Sequence, residues 1–201
     1  MTKVLIAYAT REGQTRRIAE HLAGYLRARG AQVSVVELSS QEATVTDHDA
    51  VVLAASVHDR QHEPEAVAFA RRHALALNAR PCLVLSVSSA QMMAESPRSS
   101  RLLRRLGALG ARQLLRELLA QTQLSTQLAY PVAGALAYTR YSLRQRLTFQ
   151  LFARLTGLPT DASRDHVSTD YLALERHAEA LLARVVSSAS GLAGTHEIAK
   201  Q

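Results

Sequence analysis

The chain has 201 residues, a length that suits one domain with an embellishment and a core that needs no disulfide or metal. Its single cysteine, Cys82, lies in an apolar run, which excludes a disulfide framework and argues against a reactive nucleophile. No apolar run approaches the roughly 20 residues of a membrane span. The first strand begins so close to the start that we expect no cleavable signal, and we predict a reducing, cytoplasmic location.

The net charge is +7, and Lys3 and Lys200 are the only lysines among the 24 basic residues. A basic balance favours an anionic partner such as a nucleotide cofactor, phospholipid or nucleic acid. Because the chain has no tryptophan, few aromatic residues and no known nucleic-acid-binding motif, we expect no nucleic acid partner.

The first element is an apolar run over residues 4–7, which is typical of a strand covered on both faces in a parallel sheet. The segment TREGQT at residues 10–15 follows at its carboxyl end. It offers two hydroxyls, an amide, a guanidinium and a glycine that permits a tight turn. If a helix begins near Gln14, its free N–H groups converge on the same place. This segment is either an anion-binding loop or a helix cap with no ligand.

Strands and helices then alternate along the chain. We predict helices over residues 14–29 and 63–78, strands over 32–38, 50–56 and 82–87, and a polar loop over 88–97. Right-handed crossovers place such strands in one parallel, doubly wound sheet.

A long helix is predicted over residues 98–122, with arginines on one side and leucines on the other. At about 100° per residue an arc of about 60° holds Arg101, Arg105, Arg112 and Arg116. The opposite side holds Leu103, Leu106, Leu114 and Leu118. We interpret the arginines as the solvated face of a helix packed on the sheet. Gly107 and Gly110 each cost a helix about 1 kcal/mol, which indicates a break or a close packing contact.

A fifth strand is predicted over residues 125–136, followed by a basic amphipathic helix over 142–157. Leucines recur there every fourth residue, at Leu143, Leu147, Leu151 and Leu155, with arginines between them. Such a helix packs on its own domain, self-associates or lies on a membrane surface, and these alternatives remain open. A final helix ends near Ser188, so we predict one domain over 1–188 and a flexible tail over 189–201.

Several of these segments together resemble the flavodoxin superfamily and, within it, the menaquinone-dependent protoporphyrinogen IX dehydrogenases of bacteria. The segments that carry the resemblance are residues 10–15, 55–57, 86–87, 133–141 and 161–170. The similarity spans about residues 3–185. It implies an α/β fold, a flavodoxin-like doubly wound five-stranded parallel sheet of order 2-1-3-4-5, with the basic amphipathic helix as an addition after strand 5.

The resemblance also implies an FMN site and no metal. The residues that would hold the FMN phosphate are Thr10, Arg11, Gly13, Gln14 and Thr15. Those around the flavin ring would be Ser56, Val57, Ser86, Val87, Ser88 and Ser89. Catalytic roles would fall to His58 and His62 as proton relays and to Arg60, which would favour the anionic reduced flavin.

The loop at residues 58–62 departs from the family pattern. It reads HDRQH, without the glycine or aromatic carbocycle of the family's tyrosine-, glycine- and histidine-rich run, and Ser88 replaces the family's asparagine. A flavin ring gains stacking energy from aromatic side chains. We therefore expect either looser flavin binding or a different substrate.

The implied function is an FMN-dependent dehydrogenase of the protoporphyrinogen IX type that passes electrons to a quinone. Helix 142–157 would bring the site to the inner face of the cell membrane, and the chain could form a homo-oligomer. One alternative is a flavodoxin-like electron carrier or quinone reductase without porphyrinogen activity. Another is a flavin-free binding or scaffold module that uses the arginine face of residues 98–122.

Overall fold

The computed structural model describes the backbone of residues 1–198 and the side chains of residues 1–188. The strands are β1 (Lys3–Ala9), β2 (Gln32–Glu37), β3 (Ala50–His58), β4 (Gln61–His62), β5 (Cys82–Ser88), β6 (Leu128–Ala133), β7 (Ala135–Leu136) and β8 (His166–Val167). The helices are α1 (Gln14–Ala28), α2 (Pro64–Arg72), α3 (Ala74–Asn78), α4 (Ser89–Glu95), α5 (Arg101–Thr122), α6 (Leu143–Thr156) and α7 (Tyr171–Ile198).

The main sheet has the strand order β2-β1-β3-β5-β6, with every pair along this path parallel. The short strand β4 lies off this path, so β5 and β6 are the fourth and fifth strands of the prediction. The predicted order 2-1-3-4-5 of a flavodoxin-like doubly wound sheet is thereby confirmed. The order reverses between β1 and β3, where the carboxyl ends of the strands open a crevice between crossovers on opposite faces. The sheet therefore places the residues after β1, β3, β5 and β6 around one site.

Two layers of helices cover the sheet because each buried strand presents apolar side chains to both faces. On one face, Ile18 and Leu22 of α1 and Leu181 of α7 pack against alternate residues of β1 and β3. On the other face, Phe69 of α2 and Leu118 of α5 pack against the remaining residues. Burying a leucine or phenylalanine contributes about 1.5–3 kcal/mol, so these layers hold the sheet in place.

Several predicted boundaries differ from the observed ones. The predicted polar loop over 88–97 contains α4, which begins where the Ser88 hydroxyl accepts a hydrogen bond from the Gln91 N–H. The predicted helix 63–78 is divided at His73 into α2 and α3. The predicted fifth strand begins at Leu128 and is divided at Gly134 into β6 and β7, and β7 pairs with β8.

Helix α5 runs without a break through both of its glycines. A Cβ on Gly107 would lie 2.7 Å from the Ala90 carbonyl oxygen and 2.7 Å from the Ala94 nitrogen. Gly107 therefore permits the close approach of α4 to α5, which is the packing contact that the sequence left as one of two possibilities.

Helix α6 has well-formed ends. The hydroxyl of Ser142 accepts from the Gln145 N–H, and the Gln145 side chain accepts from the Ser142 N–H, which forms a capping box. Gly157 ends the helix with a φ of 73°, and a Cβ there would lie 2.7 Å from the Arg98 carbonyl oxygen. The end of α6 is thereby fixed against the segment that leads into α5.

The final helix extends to Ile198, beyond the predicted end near Ser188. One domain over 1–188 with a flexible tail over 189–201 stays a prediction, and residues 199–201 lie outside the described part of the chain. Within the described residues, every helix is too short or too polar to cross a membrane.

Candidate functional site

A cavity of about 660 Å³ opens at the carboxyl ends of the central strands. Eleven of the fourteen side chains proposed from the sequence line it. These are Thr10, Arg11, Gln14, Thr15, Ser56, Val57, His58, Arg60, Val87, Ser88 and Ser89. Gly13 shapes the loop at the cavity wall, whereas His62 and Ser86 lie outside the lining.

Within residues 10–15, the turn that precedes α1 ends at Gly13, whose φ of 89° is the left-handed conformation that suits glycine. Its N–H donates to the Thr10 hydroxyl across 3.0 Å. Because Gly13 has no side chain, α1 begins without a side-chain cap. Its first N–H groups remain available to a ligand, as is usual at an uncapped helix start.

Thr15 is the residue of this loop whose hydroxyl is free to bind a ligand. Thr15 is only 1% exposed to solvent, and its hydroxyl has no hydrogen-bond partner. A buried hydroxyl without a partner costs about 1–3 kcal/mol, and a phosphate oxygen is a suitable acceptor for it. The loop therefore fits the phosphate of FMN.

Gln14 connects the loop to the C-terminal part of the chain. Its amide nitrogen donates to the Thr169 hydroxyl at 2.9 Å and to the Tyr171 hydroxyl at 3.3 Å. Thr169 in turn donates to the Ala133 carbonyl oxygen at the end of β6. These hydrogen bonds fix the orientation of the Gln14 side chain. Its amide oxygen is buried and has no hydrogen-bond partner.

Arg140 contributes a charge that the sequence-based site did not include. Its guanidinium donates to the Glu12 carbonyl oxygen, and a Cβ on Gly13 would lie 2.5 Å from its Nη1. The preceding residue, Thr139, is held by its N–H and hydroxyl, which both donate to Asp165. Arg140 therefore lies over the loop, in reach of an anion bound there.

Four charged or titratable side chains join this loop to the end of β3. The His58 Nε2 lies 2.7 Å from a Glu12 carboxylate oxygen and 3.5 Å from a Glu63 carboxylate oxygen. Arg11 pairs with the same Glu63 oxygen at 3.4 Å. His58 is thus held between two carboxylates at the edge of the cavity, where it is able to exchange protons with a bound substrate.

Residues 58–62 form a tight hairpin rather than an open loop. Strands β3 and β4 pair through Val57 with His62 and through His58 with Gln61. Asp59 and Arg60 form the turn with φ of 48° and 63°. Positive φ at both turn residues is the type I′ pattern, which usually uses asparagine or glycine. Arg60 lines the cavity from this strained turn.

His62 does not reach the cavity. It is buried, and its Nε2 lies 2.8 Å from the Ser86 hydroxyl. Burial lowers the pKa of His62 to about 4, so its imidazole is neutral at physiological pH. The predicted proton relay through His62 and the predicted flavin contact of Ser86 are therefore replaced by one buried structural hydrogen bond.

Ser56 and Ser88 line the floor of the cavity at the ends of β3 and β5. The Ser56 hydroxyl is buried and has no partner, so it is available to a ring nitrogen or oxygen of a bound molecule. The Ser88 hydroxyl already caps α4. Of these two hydroxyls, only that of Ser56 has no hydrogen-bond partner.

The aromatic wall of the cavity comes from Tyr141 and from Phe149 and Phe152 of α6. The rings of Tyr141 and Phe149 are stacked, with centroids 4.6 Å apart and planes at 18°. Burial raises the pKa of Tyr141 to about 12, so its hydroxyl remains protonated. The stacking surface absent from residues 58–62 is thus supplied by a distant segment.

Helix α5 completes the opposite rim through Leu106, Gly110 and Leu114. The sequence placed Leu106 with the packed leucines, but it is 50% exposed, whereas Leu114 and Leu118 are buried. The four arginines of the predicted face are all exposed. Among the residues that the structure describes, no three metal-ligating side chains come together.

The flavodoxin domain pattern matches residues 5–163 of this chain. A protoporphyrinogen IX dehydrogenase (quinone) of Escherichia coli is 30% identical over 170 residues, which are 84% of this chain and 88% of that protein. A protein of the same name from Leishmania major is 27% identical over 179 residues, which are 88% of this chain and 73% of that protein.

A solved structure has a similar backbone. A short-chain flavodoxin associated with a bacterial microcompartment gives a TM-score of 0.53 at 13% identity. The match covers 92% of this chain and 99% of that one. At this identity the likeness supports the fold alone, and it agrees with the strand order described above.

Proposed function

Because this chain belongs to the flavodoxin family and is similar along most of its length to protoporphyrinogen IX dehydrogenases, we propose that it is an FMN-dependent oxidoreductase. Its substrate is a porphyrinogen or a similar flat, reduced organic molecule, and its electron acceptor is a quinone. When bound, FMN supplies the redox chemistry, whereas the chain binds and orients it.

One observation carries this proposal. A single cavity extends from the unpartnered Thr15 hydroxyl to the stacked rings of Tyr141 and Phe149. Its first end suits a phosphate, and its second end suits a flat apolar ring system. Its volume of about 660 Å³ lies within the usual range for cofactor and ligand sites.

The chain's own groups have separate roles in this scheme. Thr10, Gly13, Gln14 and Thr15 hold the phosphate, with Arg140 as a neighbouring positive charge. Arg60 lies at the cavity wall, where its charge favours an anionic reduced ring. His58, held by two carboxylates, exchanges protons with the substrate.

Contact with a membrane belongs to the same proposal. The leucines of α6 are exposed, from 61% at Leu151 to 78% at Leu143, whereas Phe149 and Phe152 face the cavity. A basic helix with an outward row of leucines is suited to bind a lipid surface, because the leucines enter the interface and the arginines meet anionic headgroups. The enzyme would then meet a lipid-dissolved quinone at the inner face of the cell membrane.

The proposal is tested by reconstituting the purified protein with FMN and following anaerobic oxidation of protoporphyrinogen IX with menadione. We expect oxidation that requires protein, FMN and quinone together. The matched control is Thr15→Val, which removes only the hydroxyl and should lose FMN and activity together. Oxidation that proceeds equally without FMN would contradict the proposal.

The polar hairpin favours a second candidate, a quinone reductase without porphyrinogen activity. His58, Asp59 and Arg60 place charged groups at the cavity rim, which suits a smaller polar electron donor. Reduction of menadione by a nicotinamide cofactor, with no oxidation of protoporphyrinogen, would favour this candidate. The unpartnered Thr15 hydroxyl argues against a flavin-free binding or scaffold module.

A further inference from the structure

Helix α5 exposes a row of leucines that no part of the described chain covers. Leu102 is 67% exposed, Leu106 50% and Leu109 59%. A soluble helix normally turns such side chains inward, and contiguous exposed apolar residues mark interaction surfaces. The row lies on the first half of the helix, beside the cavity that Leu106 helps to line.

The residues around this row are basic. Residues 96–116 contain six arginines and no aspartate or glutamate. In the part of the chain with described side chains, the guanidinium groups of Arg101, Arg104 and Arg105 form no ion pair or hydrogen bond. The nearest carboxylates, Glu95 and Glu117, each accept a hydrogen bond from a glutamine on their own helix. This positive charge is therefore available to an external partner.

The groups are arranged in order around the helix. Taking Arg101 as zero and about 100° per residue, Arg105 and Arg112 lie within about 40°. The exposed leucines lie at about 80–140°. The residues that line the cavity, Leu106, Gly110 and Leu114, lie at about 140–220°. The sequence of faces is thus arginine, leucine, cavity.

Helix α6 also carries a row of exposed leucines next to residues that line the cavity. Its leucine row adjoins Thr148, Phe149 and Phe152 of the cavity wall. The ends of the two elements are joined, because the Ser96 hydroxyl donates to the Gly157 carbonyl oxygen at 2.9 Å and the Ser99 hydroxyl donates to that of Thr156. The two leucine rows therefore belong to helices that are joined at one end and that line the same cavity.

We propose that the leucine row and arginines of α5, Leu102, Leu106, Leu109, Arg101, Arg104 and Arg105, form a docking surface for anionic phospholipid. Apolar side chains that enter a lipid surface beside a row of cationic side chains are the pattern of an interfacial helix. This inference rests on the proposed membrane contact of α6 and extends it. With both helices docked, the cavity opens toward the lipid, and a quinone enters from the bilayer without crossing water.

The test is sedimentation of the FMN-reconstituted full chain with vesicles of phosphatidylcholine alone or mixed with phosphatidylglycerol. We expect binding to the mixed vesicles and little binding to phosphatidylcholine. Arg101→Gln with Arg105→Gln should weaken binding about fivefold for each arginine. The matched control, Arg72→Gln with Arg176→Gln, removes the same charge from other exposed surfaces and should bind like the wild type.

The apolar contribution has its own matched pair. Leu102→Gln and Leu172→Gln alter leucines that are both 67% exposed. We expect Leu102→Gln to weaken vesicle binding about tenfold, as expected for loss of a lipid-buried leucine, and Leu172→Gln to have no effect. Equal effects of the two substitutions, or equal binding to both vesicle types, would overturn the inference.

Two further outcomes distinguish lipid docking through α5 from docking through α6 alone and from self-association. If Leu147→Gln with Leu151→Gln abolishes binding while the α5 variants bind normally, α6 alone docks and the inference is wrong. If light scattering shows a dimer that the α5 variants dissociate, the surface binds a second copy and the inference is also wrong. Vesicle binding that depends on α5 in a protein that takes up no FMN would uphold the docking surface and contradict the proposed function.

Discussion

Nε2 of His58 lies 2.7 Å from a carboxylate oxygen of Glu12, so this contact joins the β3–β4 hairpin to the loop at residues 10–15. The same nitrogen lies 3.5 Å from Glu63. A histidine held in this way at the edge of a cavity is suited to proton transfer. Its contribution is separable from that of the Thr15 hydroxyl, because His58 contacts the loop through the Glu12 carboxylate.

We expect His58→Ala to lower kcat about 100-fold while the affinity for FMN changes less than about threefold. The measurement is steady-state turnover beside FMN fluorescence titration. Glu12→Gln is the control, because it retains a hydrogen-bond acceptor for the imidazole and should lower kcat much less. Wild-type kcat in His58→Ala would rule out this role.

The strained turn of the hairpin gives a second prediction. Arg60 and Asp59 have φ of 63° and 48°, a conformation that costs a non-glycine residue about 1–2 kcal/mol. Both Arg60→Gly and Asp59→Gly should therefore raise the free energy of unfolding by about 1 kcal/mol. Urea denaturation measures this effect.

The two hairpin variants should differ in the flavin. Arg60→Gly removes a cation from the cavity wall, so the reduced ring is less stabilised and the reduction potential should fall. Asp59→Gly relieves the same strain but leaves the cation. An equal potential in both variants, measured by spectroelectrochemical titration, would show that Arg60 does not act on the ring.

The buried histidine of the hairpin predicts a pH dependence of stability. The pKa of His62 is lowered by burial to about 4 in the folded chain, against about 6.5 in the unfolded chain. The unfolded chain therefore binds more protons between these values. The stability from this group is fully present above about pH 6.5 and is lost as the pH falls toward 4.

We expect the wild type to lose roughly 2.5 kcal/mol more than His62→Gln between about pH 7 and about pH 4.5. The measurement is urea unfolding at a series of pH values, with His48→Gln as a control at a histidine that is only half-buried. Parallel pH profiles of wild type and His62→Gln would contradict the assignment of this histidine as buried and neutral.

The two glycines of α5 make a matched pair for the packing of α4. Gly107→Ala places a methyl group 2.7 Å from backbone atoms of Ala90 and Ala94, whereas Gly110→Ala meets only the Ala90 Cβ at 3.8 Å. We expect Gly107→Ala to destabilise the protein by about 1–3 kcal/mol and Gly110→Ala to stabilise it by up to about 1 kcal/mol. Thermal unfolding compares them. A stabilising Gly107→Ala would mean that the helices are not in close contact.

The positions of the strands and the turn at residues 10–15 were predictable from local signals, whereas the order of the strands was implied by the family resemblance. The apolar runs of β1, β3 and β5 are long and continuous, and Gly13 follows β1 directly with hydroxyls on either side. Such patterns depend on neighbouring residues only. The sequence therefore located the strands of the sheet and one end of the cavity.

The remainder of the site depends on contacts that sequence spacing does not encode. Arg140 reaches the loop across 128 residues of chain, and the turn of the hairpin uses Asp-Arg in place of the usual glycine signal. The N-cap serine, Ser88, is the only sequence signal for helix α4. For α6, the leucine repeat identified the helix, but the phenylalanines face the domain and the leucines face outward.

The central claim is that this cavity holds FMN with its phosphate on residues 10–15. Fluorescence titration of the purified, flavin-free protein with FMN and with riboflavin, which lacks the phosphate, tests it most directly. We expect saturable quenching of FMN, affinity for riboflavin at least about 100-fold weaker, and loss of that difference in Thr15→Val. No quenching by either flavin, or equal affinity for both, would contradict the claim.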